Sequence, residues 1–391
     1  MPQPDLRLLP TAGLTPAELV DAFAGALAGA YVLAPLPPDP VEAAAVRRML
    51  AAAEQQGAVP DEVALVVSTS GSTGTPKGVM LSAAAIRAGA SATEARVGGP
   101  GEWTLALGAH YVAGAMVVCR ALLAGEALQL AAPDLSDLPR HPVRPGARRY
   151  LSVVPTQLAR VRDDEDALAV LAGYHAILVG GAAMDPGTVA QLLEAGLHPV
   201  TTYGMSETSG GCVYDGRPLD GVGVHVDPHD SRVGITGPML FSGYLGRADL
   251  TAEVLRPGAG PYGADLLLTG DRGELADDGT LHLLGRIDDV VVSGGLNVDV
   301  AAVERAAVRA LGTTELAVLG VPDPVWGTRV VVVTTARTGL PALRTALSGA
   351  LAHHALPRGL SHVDVLPTTS SGKIDRRALV EAWRTMDKEL A

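Results

Sequence analysis

The sequence predicts an α/β fold: a large N-terminal domain of layered α/β subdomains carrying a small β unit, joined to a small α+β C-terminal domain. Three observations predict it. Short β-rich runs alternate with Ala/Leu-rich helical runs as far as about residue 204, the pattern of α/β layers with parallel strands. From 231 to 284 the strands shorten and turn signals (GP, DDG) crowd between them. Beyond about residue 288 the composition shifts again, which divides the chain into 1–287 and 288–391, the second piece being close to the usual domain size.

Each element has a local reason. VALVVS (63–68), RYLSVVP (149–155), HAILVGG (175–181) and HPVTTYG (198–204) are apolar, β-branched runs and read as strands. AAAIRAGASATEA after Ser82 and DPGTVAQLLEAG after Met184 read as helices, with Ser82 and Asp185 as N-caps. SRVGITGPMLFSGYL, DLLLTGDRGELA and GTLHLLGR read as a small antiparallel unit. The C-terminal piece runs from a glycine-rich turn (VVVSGGLNV) into a helix (VDVAAVERAAVRAL). A strand pair (ELAVLGVPD, RVVVVTT), a helix (PALRTALSGALAHH), the loop PTTSSGKIDRRAL and a terminal helix follow.

Composition excludes several classes. Hydrophobic residues make up 48% of the 391, yet the charge-free AGALAGAYVLAPL falls short of the about 20 residues that span a bilayer, so no stable membrane insertion is expected. MPQPDLRLLP lacks the basic and apolar regions of a secretory signal. A net charge of −12 is wrong for wrapping nucleic acid. The acidic cluster Asp163, Asp164, Glu165 and Asp166 reads as a solvated loop or helix start. Cys119 and Cys212 are far apart and form no zinc motif; sparse cysteine without an export signal fits a reducing cytoplasm.

STSGSTGTPKG (68–78) is unlike any core element. A buried-looking strand feeds a Ser/Thr/Gly loop that ends in one lysine, a pattern suited to cradling phosphate oxygens with N–H and hydroxyl groups. It is not the GxxxxGK[ST] loop: Pro76 precedes Lys77, and Gly78 stands where a Mg²⁺-binding hydroxyl would be. The segment instead resembles the ATP-phosphate loop of the adenylate-forming enzymes, which include acyl-CoA synthetases, adenylation domains and luciferases. Further motifs of that family follow in its order across nearly the whole chain: GGAAM (180–184), YGMSET (203–208), TGD (269–271), GRIDDVV (285–291), VSGGLNV (292–298) and PTTSSGKIDR (367–376).

The resemblance implies an ATP site built from Ser68, Thr69, Ser70, Gly71, Ser72, Thr73, Gly74 and Lys77 around the phosphates, with Gly181 and Ala182 under the adenine. Tyr203 would lie against that ring, beside Gly204, Met205 and Ser206; Thr208 would reach a phosphate and Glu207 would hold Mg²⁺. Asp271 and Arg286 would meet the ribose, and Asp288 would be the interdomain hinge. Gly294 and Gly295 would line the tunnel through which CoA enters, and Lys373 would be the adenylation lysine, stabilising charge in the transition state. Catalysis would need no enzyme nucleophile.

The acyl pocket is implied less specifically. His110, in ALGAHYVAGAMVV, resembles the residue that gates it, with Val112, Gly114, Gly180, Ser209 and Gly210 as its lining. No amine-binding Asp stands there, which argues against an amino acid substrate. The short chain with HYVAGA and YGMSETSGGCVYDG most resembles the o-succinylbenzoate–CoA ligases of menaquinone biosynthesis; other aryl- or short-chain acyl-CoA synthetases, or an adenylation enzyme loading a carrier protein, are the alternatives. The substrate's second carboxylate would call for a cation, with Arg148, Arg149 and Arg217 as candidates, and Gly210–Gly211 would leave room for a ring. A homodimer is the default expectation for a soluble enzyme.

Overall fold

Helix formation at the N-terminus shows how local sequence places the elements. Thr15 caps the helix Pro16–Leu27 by accepting from the Glu18 N–H, while Glu18 reaches back to the Thr15 N–H, and Pro16 presets the first turn. Leu19, Ala22, Phe23, Ala26 and Leu27 are its buried residues, one stripe at helical spacing. Ser82 caps Ala83–Val97 as expected, and that helix ends at Gly98, whose φ of 99° an L side chain resists. The computed structural model describes residues 5–54, 59–70, 76–182, 184, 186–197, 199–369 and 374–389; Asp185, expected as an N-cap, lies outside them. Asp164, from the acidic cluster, caps Glu165–Leu171.

The chain folds into two units. The larger takes Met1–His225, Gly234–Thr269 and Asp277–Leu281; the smaller takes Val226–Val233, Gly270–Ala276 and His282–Ala391. The smaller unit therefore draws on two short segments upstream of residue 288.

In the larger unit, a five-stranded sheet runs in the order Leu6–Pro10, Val32–Leu36, Val63–Ser70, Pro76–Ser82, Gly243–Tyr244. The first three strands are parallel and the last two antiparallel. A seven-stranded sheet runs Arg217–Pro218, Gly210–Tyr214, Pro199–Met205, Ala176–Val179, Arg149–Val153, Glu102–Leu105, Leu128–Leu130. Its strands are parallel up to Pro199–Met205, as expected for the runs 149–155, 175–181 and 198–204, and the next two return antiparallel. Arg149–Val153, Ala176–Val179 and Glu102–Leu105 are buried at every position because both faces are covered. Helix Val112–Ala124 is apolar all round except for Arg120, and Gly114 to Ala121 are all buried.

The expected antiparallel unit is larger than 231–284. It orders Gly223–Val226, Arg232–Thr236, Leu266–Leu275, Leu255–Arg256, with Leu281–Arg286 also paired to Leu266–Leu275. In the smaller unit, Leu316–Asp323 and Gly327–Thr334 form the expected antiparallel pair. Period-two alternation divides their side chains. Leu316, Val318, Val330 and Val332 meet helices Val300–Leu311 and Leu340–Leu347, while Ala317, Leu319, Val331 and Val333 meet Leu379 and Trp383 of Arg376–Glu389. Burying each large apolar side chain there contributes about 1.5–3 kcal/mol.

Candidate active site

In the larger unit, the Ser/Thr/Gly segment joins two antiparallel strands. Ser68 pairs with Gly78, Thr69 with Lys77 and Ser70 with Pro76. Gly71, Ser72, Thr73 and Gly74 lie outside the described residues. Gly78 is tightly packed: a Cβ would approach the Val66, Leu245 and Met49 side chains to 3.1–3.2 Å. The Lys77 ammonium lies 5.1 Å from the centre of the Tyr244 ring, in cation–π range.

Tyr203, Gly204 and Met205 end the strand Pro199–Met205; Ser206–Thr208 makes one tight turn, and Gly210–Tyr214 returns. A Cβ on Gly204 would sit 2.1 Å from the Gly210 carbonyl oxygen, so only glycine fits. The Thr208 hydroxyl, expected at a phosphate, is fully buried: it accepts from the Met205 N–H and has the Gly210 carbonyl at 2.7 Å. It locks the turn. Glu207 projects from the turn, with one oxygen accepting from the Tyr244 hydroxyl at 2.7 Å. Its second oxygen has no partner among the described residues. That suits Mg²⁺, which takes one or two carboxylates and completes its shell with phosphate oxygens and water. No group of three or more His, Cys, Asp or Glu that could hold a metal gathers among the described residues. Gly181, with φ of 87°, and Ala182 form an exposed turn after Ala176–Val179.

His110 is 5% exposed and its ring packs against Tyr111 at 4.0 Å between centroids. Nδ1 has no hydrogen-bond partner among the described residues, and burial lowers the imidazole pKa from 6.5 to about 4. A neutral ring results. Among the other expected lining residues, Val112 is half-buried, while Gly114 faces the Gly108 carbonyl and Gly180 the Thr202 side chain, both too close for a Cβ. The Ser209 hydroxyl is buried and donates to the Met239 carbonyl. Gly210 lies beside Met116 and Arg120, at 3.6 and 3.9 Å from where its Cβ would stand. Gly211 meets Tyr214 and Thr202 in the same way, at 2.9 and 3.2 Å.

The three arginines singled out from sequence differ in their surroundings. Arg149 is buried, but it donates to the Pro139 and Arg140 carbonyls and stacks on Tyr174 at 4.0 Å. Arg217 pairs with Asp278 at 2.6 Å with both side chains more than half exposed, and Arg148 is exposed. A further buried cation, one not singled out from sequence, is Arg120. It is 6% exposed, lies 5.2 Å over the Trp103 ring, and its Nε has no partner among the described residues. It lines a cavity of about 240 Å³ with Arg87, Glu94, Trp103, Leu123 and Tyr150. One arginine inside the otherwise uncharged VAGAMVVCRALLA was the available signal.

In the smaller unit, Arg286 donates to Asp271 at 3.1 Å and approaches Asp288 at 3.5 Å. A Cβ on Gly270 would strike the Arg286 guanidinium at 2.6 Å, which accounts for the glycine of TGD. Asp288 is the exposed residue of the turn Ile287–Asp289, whose other two residues are half-buried. Gly294 and Gly295, at φ of 60° and 80°, make a two-residue hairpin turn, and Trp326 lies against Gly294. Lys373 lies outside the described residues. Beside it, Thr368 bridges Ile374, and Arg376 donates to both Glu304 oxygens at 2.7 and 2.8 Å.

Comparison with known proteins gives the family. The profile described as "AMP-binding enzyme" matches residues 17–258, and "AMP-binding enzyme C-terminal domain" matches 302–373. A protein of Mycobacterium tuberculosis (strain ATCC 25618 / H37Rv) named "Probable 2-succinylbenzoate--CoA ligase" is 42% identical over 337 residues, covering 83% of this chain and 86% of that one. A "Feruloyl-CoA synthase" of Amycolatopsis sp is 30% identical over 354 residues, covering 80% and 68%. ATP-bound MatB from Rhodopseudomonas palustris shares the fold, with a TM-score of 0.78 at 22% identity over 99% of this chain and 90% of that one.

Proposed function

This chain belongs to the AMP-binding enzyme family, and from that premise we propose that it is an ATP-dependent carboxylate–CoA ligase whose acid is 2-succinylbenzoate. The observation that carries the reading is the ordered set of nucleotide motifs, in a chain 42% identical to a relative of that name.

The acid's carboxylate oxygen attacks the α-phosphorus of ATP; the bond from that phosphorus to the β-bridging oxygen breaks, and pyrophosphate leaves. Lys77 and the hairpin loop from Ser68 neutralise the leaving group, while Tyr203 and the Gly181–Ala182 turn seat the base. Asp271 and Arg286 hold the ribose. Glu207 holds Mg²⁺, which when bound supplies positive charge to the phosphates. Lys373 meets the charge developing at the α-phosphate; such a contact contributes about a hundred- to a thousandfold in rate. In the second half-reaction the CoA thiolate, entering past Gly294 and Gly295, attacks the acyl carbonyl and AMP leaves. Asp288 absorbs the torsional change between the two steps. His110 stays neutral beside the acyl group, and Arg120 supplies the cation that the second carboxylate requires.

No helix among the described residues is long and apolar enough to cross a membrane. We place the enzyme in the cytoplasm, as a homodimer without nucleic acid partners. The 30% identity to a feruloyl-CoA synthase favours, as second reading, another aryl acid. Pyrophosphate and acyl-CoA formation from ATP, Mg²⁺ and CoA with 2-succinylbenzoate, ferulate, benzoate, fatty acids and amino acids tests the proposal. Turnover with 2-succinylbenzoate above all others is expected. Preference for ferulate or benzoate moves the assignment to the second reading, and pyrophosphate release without acyl-CoA points to a carrier-protein thiol.

A further inference from the structure

Tyr244 stands between two residues assigned to ATP, and the reading above gives it no part. It is 6% exposed. Its hydroxyl donates to one Glu207 oxygen at 2.7 Å, its ring face lies 5.1 Å from the Lys77 ammonium, and its edge packs on Phe241 at 5.0 Å. The backbone fixes this placement. The short strand Gly243–Tyr244 pairs antiparallel with Pro76–Ser82, the strand that carries Lys77. Leu245 N–H donates to the Gly78 carbonyl and Ser242 N–H to the Met80 carbonyl, while Phe241 N–H donates to the Glu207 carbonyl itself. Thr251 Oγ1 accepts from the Tyr244 N–H at 2.9 Å. The five consecutive residues 241–245 thus tie the phosphate-loop strand to the Glu207 turn.

A phenol hydroxyl is protonated at neutral pH, so it is the donor to the Glu207 carboxylate. A carboxylate with one oxygen held in this way can turn only its other oxygen outward. A ring face beside an ammonium limits where that ammonium rests. One side chain does both.

We infer that Tyr244 is a positioning residue for the adenylation half-reaction: it presents the second Glu207 oxygen to the divalent cation of the nucleotide and holds Lys77 alongside it. The inference rests on the proposed ligase activity and on Glu207 as the cation's ligand. Outer contacts of this kind change metal affinity or activity by about 10–100-fold when removed.

The test uses Tyr244→Phe, which keeps the ring and removes one oxygen, with Glu207→Gln as reference. Mn²⁺ binding is measured by paramagnetic resonance in the presence of a non-hydrolysable ATP analogue, and Mg²⁺ dependence is measured in pyrophosphate release. Tyr244→Phe is expected to weaken Mn²⁺ about tenfold or more and to raise the Mg²⁺ needed for half-maximal adenylation. Thioester formation from supplied acyl-adenylate should persist in the same preparation, which also reports folding. Tyr244→Leu, which removes the ring as well, should further raise the KM for ATP. If Glu207→Gln loses Mn²⁺ affinity and Tyr244→Phe does not, Tyr244 has no positioning role. If Glu207→Gln retains wild-type Mn²⁺ affinity, the assignment of Glu207 fails and the inference with it. Equal loss of both half-reactions in Tyr244→Phe also overturns it, since that is the mark of general structural damage.

Discussion

Lowering the pH should destabilise this protein through His110, and the effect can be isolated. The imidazole is buried against Tyr111 and over Gly108, with Nδ1 unpaired among the described residues, and burial holds its pKa at about 4 against 6.5 in the open chain. The folded value is the lower one. As pH falls below 6.5 the unfolded chain takes up the proton first, so stability is lost between about pH 6.5 and 4 and is unaffected above that window. Linkage with these two values gives about 2 kcal/mol at pH 5; discounting for partial solvent screening leaves about 1–2 kcal/mol. His110→Phe keeps a ring and removes the titration. Urea unfolding of both proteins, followed by circular dichroism at pH 7 and pH 5, cancels every other titrating group in the difference. Wild type should lose about 1–2 kcal/mol relative to the variant between the two pH values. A difference that stays constant within about 0.5 kcal/mol would refute the buried, neutral imidazole.

Lys373→Ala should abolish pyrophosphate release while leaving thioester formation from supplied acyl-adenylate largely intact; equal loss of both would remove Lys373 from its assigned step. Gly204→Ala should cost about 3 kcal/mol or more, because its methyl would sit 2.1 Å from a backbone carbonyl oxygen that cannot rotate away. A melting temperature within a few degrees of wild type would show that the 203–211 hairpin yields more easily than its geometry implies.

Much of this architecture was legible in the sequence, for a local reason. A buried parallel strand writes itself as an unbroken apolar run, as in RYLSV and AILV, and a helix start writes itself as a cap, as at Ser82. The segment 68–78 stood out as a composition that no core tolerates. What escaped depends on contacts between residues far apart. Nothing near Arg120 says that its guanidinium lies over Trp103 beside Gly210. Arg149 looked like a free charge because its partners, Pro139, Arg140 and Tyr174, come together only once the sheet forms. Thr208 was expected at a phosphate, and no short motif shows that the return strand Gly210–Tyr214 brings a carbonyl to its hydroxyl. Tyr244 reaches Glu207 through strand pairing with Pro76–Ser82, a register that no short motif encodes.

The smaller unit is assembled from three stretches of chain, and this bears on its synthesis. Residues 226–233 and 270–276 leave the ribosome before the 110 residues of His282–Ala391 that complete the unit. At about 5–20 residues per second, the early stretches wait roughly 6–22 seconds for those neighbours. They are not wholly idle meanwhile, for the Gly273 N–H already has the Ser231 carbonyl as acceptor at 2.9 Å. Nascent chains stalled shortly after Leu281 would hold strands whose later partners do not yet exist, and such unpaired edges invite association with other chains. Slow translation just downstream of that point would lengthen the exposure, so the codons for residues 282–391 are where expression of this protein is most sensitive to translation speed.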